Sequence, residues 1–379
     1  MEQTISIIYY FLFAIVTTLL IHLISKHQRN GEISCKKLTI RIGYAELYEL
    51  ILILVIVLFC AFREIEVGVG GTDAYAYMMQ FEQSTGSLSE QLIRFRGWEP
   101  LHAISLWIVR LFTSEYRVYL TLYYIVMSLF LIKYAKMIRL NKYWFLATFA
   151  LMIVFLSSFN TQRNTFAVFA GIYILDTLLK GNHKRSILYV IIITGFHISA
   201  LIWFIIIGAS MFIRFFKGSI KWKLFGYLMV SSAVSVVSLR LFPILVGGNR
   251  LGVYIDSGSS ISIPMLIAFI FVLFLFLVHY RQIQYDPEYK DIISLSTLYI
   301  AFAPMFIFQM QYSIMYRMML YSIPVLYMLL AKFKEYIVKG KNGISLLYVG
   351  CNLILLLRIL PFFMESNDIG VYSSILMGN

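Results

Sequence analysis

Long apolar segments separated by short polar ones are the feature that most limits how this chain can fold. A helix needs about 20 apolar residues to cross the hydrocarbon core of a bilayer. We place ten such spans, at 4–25, 46–61, 117–137, 143–159, 163–180, 222–242, 262–280, 291–309, 316–334 and 344–363. Because only helices satisfy the backbone at this depth within one segment, the pattern predicts an all-α, polytopic integral membrane protein.

The composition supports the same class. Of 379 residues, 60% are hydrophobic and 13% are charged, and the mean hydropathy is +0.80. Soluble domains contain roughly 45–50% apolar and about 25% charged residues, so this chain lacks the polar groups to cover a globular surface. The three cysteines are scattered, without CxxC spacing, which predicts neither a disulfide framework nor a cysteine metal site. We expect a single transmembrane domain over 1–379.

Two further apolar stretches, 98–113 and 186–214, are ambiguous. Lysine and arginine accumulate in cytoplasmic loops, and the six basic clusters of this chain fall on one side only if neither stretch makes a single crossing. We therefore predict a helix at the outer face over 98–113 and a hairpin over 186–214 that enters from the cytoplasm and breaks near His197. This topology places both termini outside. The alternative treats both stretches as ordinary spans.

The net charge of +13 divides unevenly between the two faces. In the predicted topology all sixteen lysines are cytoplasmic, whereas ten of the sixteen arginines lie at or near the external face. A guanidinium group binds phosphate through two parallel hydrogen bonds and loses water more easily than an ammonium group. The external arginines therefore favour an anionic ligand approached from outside. The alternative is that they are scattered anchors at helix ends.

The longest hydrophilic segment, 62–97, is predicted to be an external loop that contains candidate site residues. It combines Asp73 with aromatic side chains such as Tyr75, and Glu99 follows it. Carboxylates beside aromatic faces suit a sugar ring, which has both hydroxyl groups and an apolar surface. The alternative is an interfacial aromatic belt, with Asp73 capping a helix that starts at Ala74.

A second external loop is predicted over 243–261. Its glycines and serines suit a mobile lid, in which Arg250 or Asp256 would contact substrate. A flexible connector explains the same composition equally well.

Polar residues within or beside apolar spans are functional candidates because their burial in lipid is costly. Gln162 and Arg163 lie at the outer end of the fifth span, and Gln311 and Arg317 lie between two later spans. His197 lies at the predicted break of the hairpin. Histidine as a residue type changes charge close to neutral pH, which suits a general base, although a lone histidine in an apolar segment is often a hydrogen-bonded core residue.

Motifs for other chemistries are absent from the sequence. There is no GxxxxGK[ST] motif, and no GxGxxG precedes a predicted helix, so nucleotide-driven transport is not indicated. There is no HExxH motif and no clustering of histidine with carboxylates that indicates zinc. We predict no metal and no cofactor.

Several short motifs in order resemble the EpsG and Wzy-like family of bacterial exopolysaccharide and O-antigen repeat-unit polymerases. The matching residues are Phe62-Arg63, Gly71-Thr72-Asp73-Ala74-Tyr75, Tyr77, Phe81, Trp98-Glu99-Pro100-Leu101, Gln162-Arg163-Asn164, Phe196-His197-Ile198-Ser199-Ala200 and Tyr316-Arg317. Most of this resemblance covers about residues 60–205.

The resemblance implies a metal-independent glycosyltransferase in the bacterial cytoplasmic (inner) membrane, with its active face outward. Such an enzyme transfers a growing glycan from its polyprenyl diphosphate to a sugar hydroxyl of the next lipid-linked repeat unit. Its partners are the polyprenyl-diphosphate-linked oligosaccharide, membrane lipid, and a chain-length regulator and flippase of the same pathway. No nucleic acid is expected to bind.

The sequence and the resemblance together define the candidate site residues. Asp73, Glu99 and His197 are the catalytic candidates, one of which takes the acceptor proton. The diphosphate and sugar contacts are expected among Arg63, Tyr75, Arg94, Arg96, Gln162, Arg163, Arg250, Gln311 and Arg317.

Three alternative functions remain at this point. A flippase or transporter of an anionic lipid or saccharide would require charged groups along a path through the bilayer and pseudo-symmetric halves. An O-antigen ligase usually has a larger external loop late in the chain, and a membrane acyltransferase also favours an intramembrane histidine.

Overall fold

The structure, a computed structural model, describes most of the chain. The described residues are 2–27, 32–34, 41–66, 69–71, 73–94, 99–138, 143–215, 219–246, 263–286, 290–308, 318–339, 346–364 and 374. Their regular secondary structure is helical apart from one short antiparallel sheet, in which β1 (Glu32–Ser34) pairs with β2 (Arg41–Gly43). The predicted helical class is therefore confirmed, with this small sheet as an addition to it.

The chain divides into two compact units, of which the first contains residues 1–198 and 359–379. Its helices are α1 (Glu2–His27), α2 (Tyr44–Cys60), α3 (Ala74–Glu82), α4 (Leu88–Arg94), α5 (Pro100–Phe112), α6 (Tyr116–Met137), α7 (Phe145–Phe155), α8 (Gln162–Leu179) and α9 (His183–Phe196). A 3-10 turn, Leu156–Phe159, follows α7. Helix α1 packs against α2, α6 and α7, and α8 packs against α6 and α9.

The second unit contains residues 199–358. Its helices are α10 (Ile202–Phe215), α11 (Ile220–Val246), α12 (Ile263–Ile283), α13 (Lys290–Ile300), α14 (Ala303–Phe308), α15 (Ser322–Lys339) and α16 (Leu346–Met364), the last of which continues into the first unit. Helix α13 packs against α10, α12 and α15, and α11 packs against α14.

In the described part of the chain, three helices are long and apolar enough to cross a membrane. They are Ile5–His27, Tyr116–Met137 and Ile263–Ile283, accompanied by shorter apolar helices. Each of the ten predicted spans coincides with helical structure over most of its length, but the count of ten is not confirmed. The span predicted over 291–309 is interrupted, because α13 ends at Ile300 and α14 begins only at Ala303.

The two ambiguous stretches have distinct structures. Helix α5 has 13 residues and is about 20 Å long, too short for a hydrocarbon core of about 30 Å. Helix α9 ends at Phe196, and His197 is extended before a 3-10 turn at Ile198–Leu201. The break predicted at His197 is confirmed, whereas the return of this segment to the cytoplasm stays a prediction.

The predicted loop 62–97 contains two helices, α3 and α4. A tight turn leads into α3, and its Gly71 has φ +120°, where a Cβ atom would lie 2.3 Å from the carbonyl oxygen of Phe159. Only glycine allows this approach. The side chain of Asn160 then accepts a hydrogen bond of 2.9 Å from the backbone N–H of Asp73. The start of α3 is thereby held against the 3-10 turn that precedes α8. Helix α11 continues to Val246, and the rest of the predicted loop 243–261 lies outside the described residues.

Candidate active site

Glu99 lies at the centre of a buried polar cluster in the first unit. It directly precedes α5 and is 7% exposed. One carboxylate oxygen accepts a hydrogen bond of 2.5 Å from Nδ1 of His197, and the other forms an ion pair with the guanidinium group of Arg163. The backbone N–H of Ile198 lies 3.4 Å from the first oxygen. One carboxylate thus joins two residues that are 64 and 98 positions away in the chain.

Helix packing explains how these three residues meet. Arg163 is the second residue of α8, and His197 follows the end of α9, which packs on both α8 and α5. At Gly195 a Cβ atom would lie 2.8 Å from the side chain of Leu101 in α5. Glycine at this position therefore lets α9 come close enough to α5 for His197 to reach Glu99.

The electrostatic environment keeps Glu99 ionised. Burial by itself raises the pKa of this carboxyl group, but the hydrogen bond from His197 and the charge of Arg163 outweigh it and lower the pKa to about 2. An ionised carboxylate can only accept hydrogen bonds. Nδ1 of His197 must therefore carry the proton that it donates to Glu99, so that Nε2 is the acceptor nitrogen of the neutral ring.

We expect Glu99→Gln to reduce stability in a pH-dependent manner. The folded pKa of about 2 lies below the value of roughly 4.3 for an unfolded glutamate. Ionised Glu99 therefore stabilises the fold above about pH 4.3, and this contribution is lost as the pH falls toward 2. Thermal unfolding in detergent should give a lower Tm for the variant at pH 7 and a smaller difference at pH 3. Glu115→Gln, at an exposed position before α6, is the matched control, and an equal difference at both pH values would contradict the assignment.

The start of α8 presents hydrogen-bond donors. The side-chain oxygen of Gln162 accepts a 3.1 Å hydrogen bond from the Tyr116 hydroxyl, and its backbone oxygen accepts one of 2.8 Å from Tyr123. Among the residues that the structure describes, neither Nε2 of Gln162 nor Nε of Arg163 has an acceptor, although both atoms are buried. These donors lie where the positive end of the helix dipole favours an anion.

Helix α3, which belongs to the predicted loop 62–97, lies beside the same cluster. The guanidinium carbon of Arg163 lies 5.7 Å from the centre of the Tyr77 ring. Asp73 precedes Tyr77 by one helical turn, so both residues lie on the same face of α3. Asp73 is exposed, so a solvent-accessible carboxylate lies one helical turn from Tyr77.

A cavity of about 310 Å³ adjoins Arg163. Its walls come from α5, α6, the start of α8 and the end of α9, and most are apolar. Gln162, Arg163 and His102 are the residues in this wall that carry basic or amide groups. The cavity thus presents a mainly apolar surface beside the start of α8.

His102 is a site residue that sequence reasoning missed. It is 4% exposed, lines the cavity and follows Glu99 by one helical turn. The signal in the sequence was its spacing of three residues from Glu99 on a helix that begins with Pro100.

Arg63 lies in the interior of the first unit, where it is 2% exposed. Its Nε donates a 3.0 Å hydrogen bond to the carbonyl oxygen of Gly70, and another nitrogen donates to the Tyr124 hydroxyl at 3.1 Å and to the carbonyl of Cys60. The guanidinium carbon lies 4.2 Å from the centre of the Phe159 ring. In this structure Arg63 stabilises the turn before α3, and its predicted contact with substrate stays a prediction.

The other predicted substrate contacts have different placements. Tyr75 is 38% exposed on α3, and the exposed Arg94 donates a hydrogen bond to the backbone carbonyl of Gln83. Four predicted contacts lie outside the described residues, namely Arg96, Arg250, Gln311 and Arg317. The structure therefore brings together Glu99, Gln162, Arg163 and His197. It places Asp73 one helical turn from Tyr77, whose ring lies beside Arg163.

Potential metal ligands do not cluster in the described part of the chain. No group of three or more histidine, cysteine, aspartate or glutamate side chains lies there with the geometry to hold a metal ion. The expectation that the protein uses neither a metal nor a cofactor stays a prediction.

Comparison with known proteins identifies the family. The family model of the EpsG family matches residues 46–376, a range that contains the whole Glu99 cluster. No curated protein and no solved structure matches the chain. The family match covers most of the sequence, and the chain therefore belongs to the EpsG family.

Proposed function

We propose that this protein polymerises polyprenyl-diphosphate-linked oligosaccharide repeat units of an O-antigen, capsule or exopolysaccharide by glycosyl transfer. EpsG family membership supports a polysaccharide polymerase-type function, and the apolar helices agree with a membrane protein. The observation that carries the proposal is the Glu99 carboxylate, which joins Arg163 to His197. The cluster thus contains both a positive charge that can stabilise an anionic leaving group and a base that can take the proton of an acceptor hydroxyl group.

Arg163 is proposed to bind the diphosphate of the donor. When the bond between the anomeric carbon and the diphosphate oxygen breaks, negative charge develops on that oxygen. The guanidinium group stabilises this charge, and it is already in place before the reaction. Gln162 and the N-terminus of α8 offer further donors to the same anion.

His197 is proposed to take the acceptor proton. A hydroxyl group of the next repeat unit attacks the anomeric carbon and gives its proton to Nε2 of His197. Glu99 holds the opposite ring nitrogen protonated and stabilises the imidazolium that forms, as a buried carboxylate does for histidine in hydrolytic triads. Glu99 is thus proposed as a positioning residue rather than the base. The exposed Asp73 is proposed to contact acceptor sugar hydroxyls.

The site is proposed to work at the outer face of the bacterial cytoplasmic membrane. A polyprenyl diphosphate carries its own leaving group, so the transfer itself requires no nucleotide. A flippase that delivers the lipid-linked unit and a chain-length regulator are the proposed partners within the pathway.

The test is an assay with the purified protein and one defined lipid-linked repeat unit. We expect a ladder of products that differ by one repeat unit and the release of polyprenyl diphosphate in proportion to the bonds formed. Vesicles that contain the substrate on one leaflet separate this activity from transport. Movement of intact substrate between leaflets without a ladder would identify a flippase, and transfer only to an unrelated glycolipid acceptor would identify a ligase. Either result would overturn the proposal.

A further inference from the structure

The chain segment that carries His197 is fixed at three successive residues, each by a different element. The backbone N–H of His197 donates a 3.0 Å hydrogen bond to a carbonyl oxygen in the last turn of α9. The backbone N–H of Ile198 lies 3.4 Å from the carboxylate of Glu99, at the start of α5. The hydroxyl oxygen of Ser199, in the 3-10 turn that follows, lies 2.8 Å from the hydroxyl oxygen of Tyr321, which directly precedes α15. The helix break is thus held from α9, α5 and α15.

The hydrogen bond between Ser199 and Tyr321 is buried, and its tyrosine end has a fixed position. Ser199 is 6% exposed and Tyr321 is 0% exposed. The backbone N–H of Tyr321 donates a 3.3 Å hydrogen bond to the carbonyl oxygen of Met318, and the Ser322 hydroxyl donates one of 2.7 Å to that of Met319. Helix α15 itself packs against α13. Because a buried hydroxyl group has no water to replace a lost partner, Tyr321 holds the turn at Ser199 firmly.

We infer that Tyr321 is a positioning residue for the proposed base and acts through Ser199 on the turn that carries His197. The inference rests on the proposed function, in which His197 takes the acceptor proton. His197 is extended between α9 and the 3-10 turn, so a rotation of this turn moves the imidazole ring. A hydrogen bond two residues away, to a residue 122 positions from Ser199 in the chain, limits that rotation.

The bond from His197 to Glu99 does not by itself fix the position of Nε2. A ring held only at Nδ1 can pivot about that hydrogen bond, and Nε2, on the far side of the ring, then moves most. Proton transfer requires Nε2 within about 2.6–3.2 Å of the acceptor hydroxyl oxygen. A misplacement of about 1 Å costs on the order of 100-fold in rate. Anchoring the backbone on both sides of His197 removes the pivot.

Two tyrosines of the second unit provide a matched pair of variants. Tyr321 bonds to Ser199, whereas Tyr227, on α11, donates a buried 2.8 Å hydrogen bond to the carbonyl oxygen of Ala301, in the turn between α13 and α14. Tyr321→Phe and Tyr227→Phe each remove one buried phenol hydroxyl group, so both should lower the Tm by a similar amount. Only Tyr321→Phe should lower kcat, by roughly tenfold, a fraction of the loss for full misplacement.

The kinetic pattern separates positioning from general destabilisation. Tyr321→Phe should leave the KM for donor and acceptor close to the wild-type values, because Arg163 and Asp73 are unchanged. Ser199→Ala removes the same hydrogen bond from its other end. The double variant should therefore lose no more kcat than Tyr321→Phe alone, as expected for two residues that act through one interaction.

Chemical labelling gives a readout that does not depend on polymer formation. Diethyl pyrocarbonate acylates an unprotonated ring nitrogen of histidine, and mass spectrometry of peptides measures the rate at each position. In Tyr321→Phe, His197 should be acylated faster than in the wild type, because its ring is held less firmly against Glu99. In Tyr227→Phe it should react at the wild-type rate. His183, at the other end of α9, is the internal reference.

Equal kcat values or equal rates of His197 labelling in Tyr321→Phe and Tyr227→Phe would overturn the inference, as would additive losses in the double variant. If a product ladder forms and the two variants behave alike, the proposed function survives and the role of Tyr321 is lost. If the wild-type protein forms no ladder, the proposed function fails, and the labelling rates alone decide whether Tyr321 positions His197.

Discussion

Arg163→Ala is expected to lower the rate of polymer formation by at least about 100-fold, the effect of removing one preorganised donor from a developing oxyanion. Arg163 is the cation of the Glu99 cluster, and its Nε has no acceptor within the described structure. Without this side chain, the negative charge that develops on the leaving diphosphate would be stabilised far less. The rate is measured with the purified variant and a defined lipid-linked repeat unit.

The control variants separate this effect from misfolding. Arg117→Ala removes an exposed arginine at the start of α6 and should leave the rate unchanged. Arg163→Lys keeps the charge but loses the planar fork, so it should fall between the wild type and Arg163→Ala. The Tm of each variant in detergent shows whether the fold has survived. If a correctly folded Arg163→Ala variant retains the wild-type rate, Arg163 does not bind the leaving group.

His197→Ala is expected to lower the same rate by about 100-fold to 10,000-fold, the range for loss of a general base. Glu99 holds Nδ1 of His197, and Nε2 is the nitrogen proposed to accept the proton. Arg163 remains in this variant to bind the donor diphosphate, so the rate should fall with little change in KM. Steady-state kinetics at fixed pH measure both quantities.

Two comparisons test the identity of the base. His183→Ala, at the other end of α9, is the matched control and should keep the wild-type rate. Asp73→Asn should raise the KM for the acceptor more than it lowers the rate, because the exposed Asp73 is proposed to hold sugar hydroxyls. If Asp73→Asn abolishes transfer and His197→Ala does not, Asp73 is the base and the proposed roles are reversed.

Local sequence patterns predicted the helices well. The apolar segments became helices because a run of this composition satisfies its backbone only by internal hydrogen bonding in lipid. The break at His197 was predicted from its position within an apolar stretch. The helix starting at Ala74 was one of two interpretations of its segment, and the side chain of Asp73 forms no cap hydrogen bond there. The interruption between α13 and α14 was missed because hydropathy alone carries no signal for a turn within an apolar run. The local signal was Pro304, the second residue of α14, since proline favours the first turn of a helix and interrupts a helix interior.

The arginines illustrate a different limit. In the predicted topology Arg63 and Arg163 look alike, since both lie at the outer ends of apolar helices. In the structure Arg63 uses its donors on backbone carbonyls and the Tyr124 hydroxyl, whereas Arg163 pairs with Glu99 and keeps a donor without an acceptor among the described residues. This difference depends on residues that lie close to each arginine in space but far from it in the sequence. The type of residue alone therefore does not reveal it.

The sequence by itself determined the membrane class, most helix positions and the family, because apolar length and motif order are local properties of the chain. Only the tertiary structure decided that Glu99 joins Arg163 to His197, that His102 belongs to the site and that an apolar cavity adjoins it. These contacts depend on how α5, α8 and α9 pack, including the close approach at Gly195. Helix packing of this kind is set by shape complementarity between distant segments, for which one sequence contains no periodic signal.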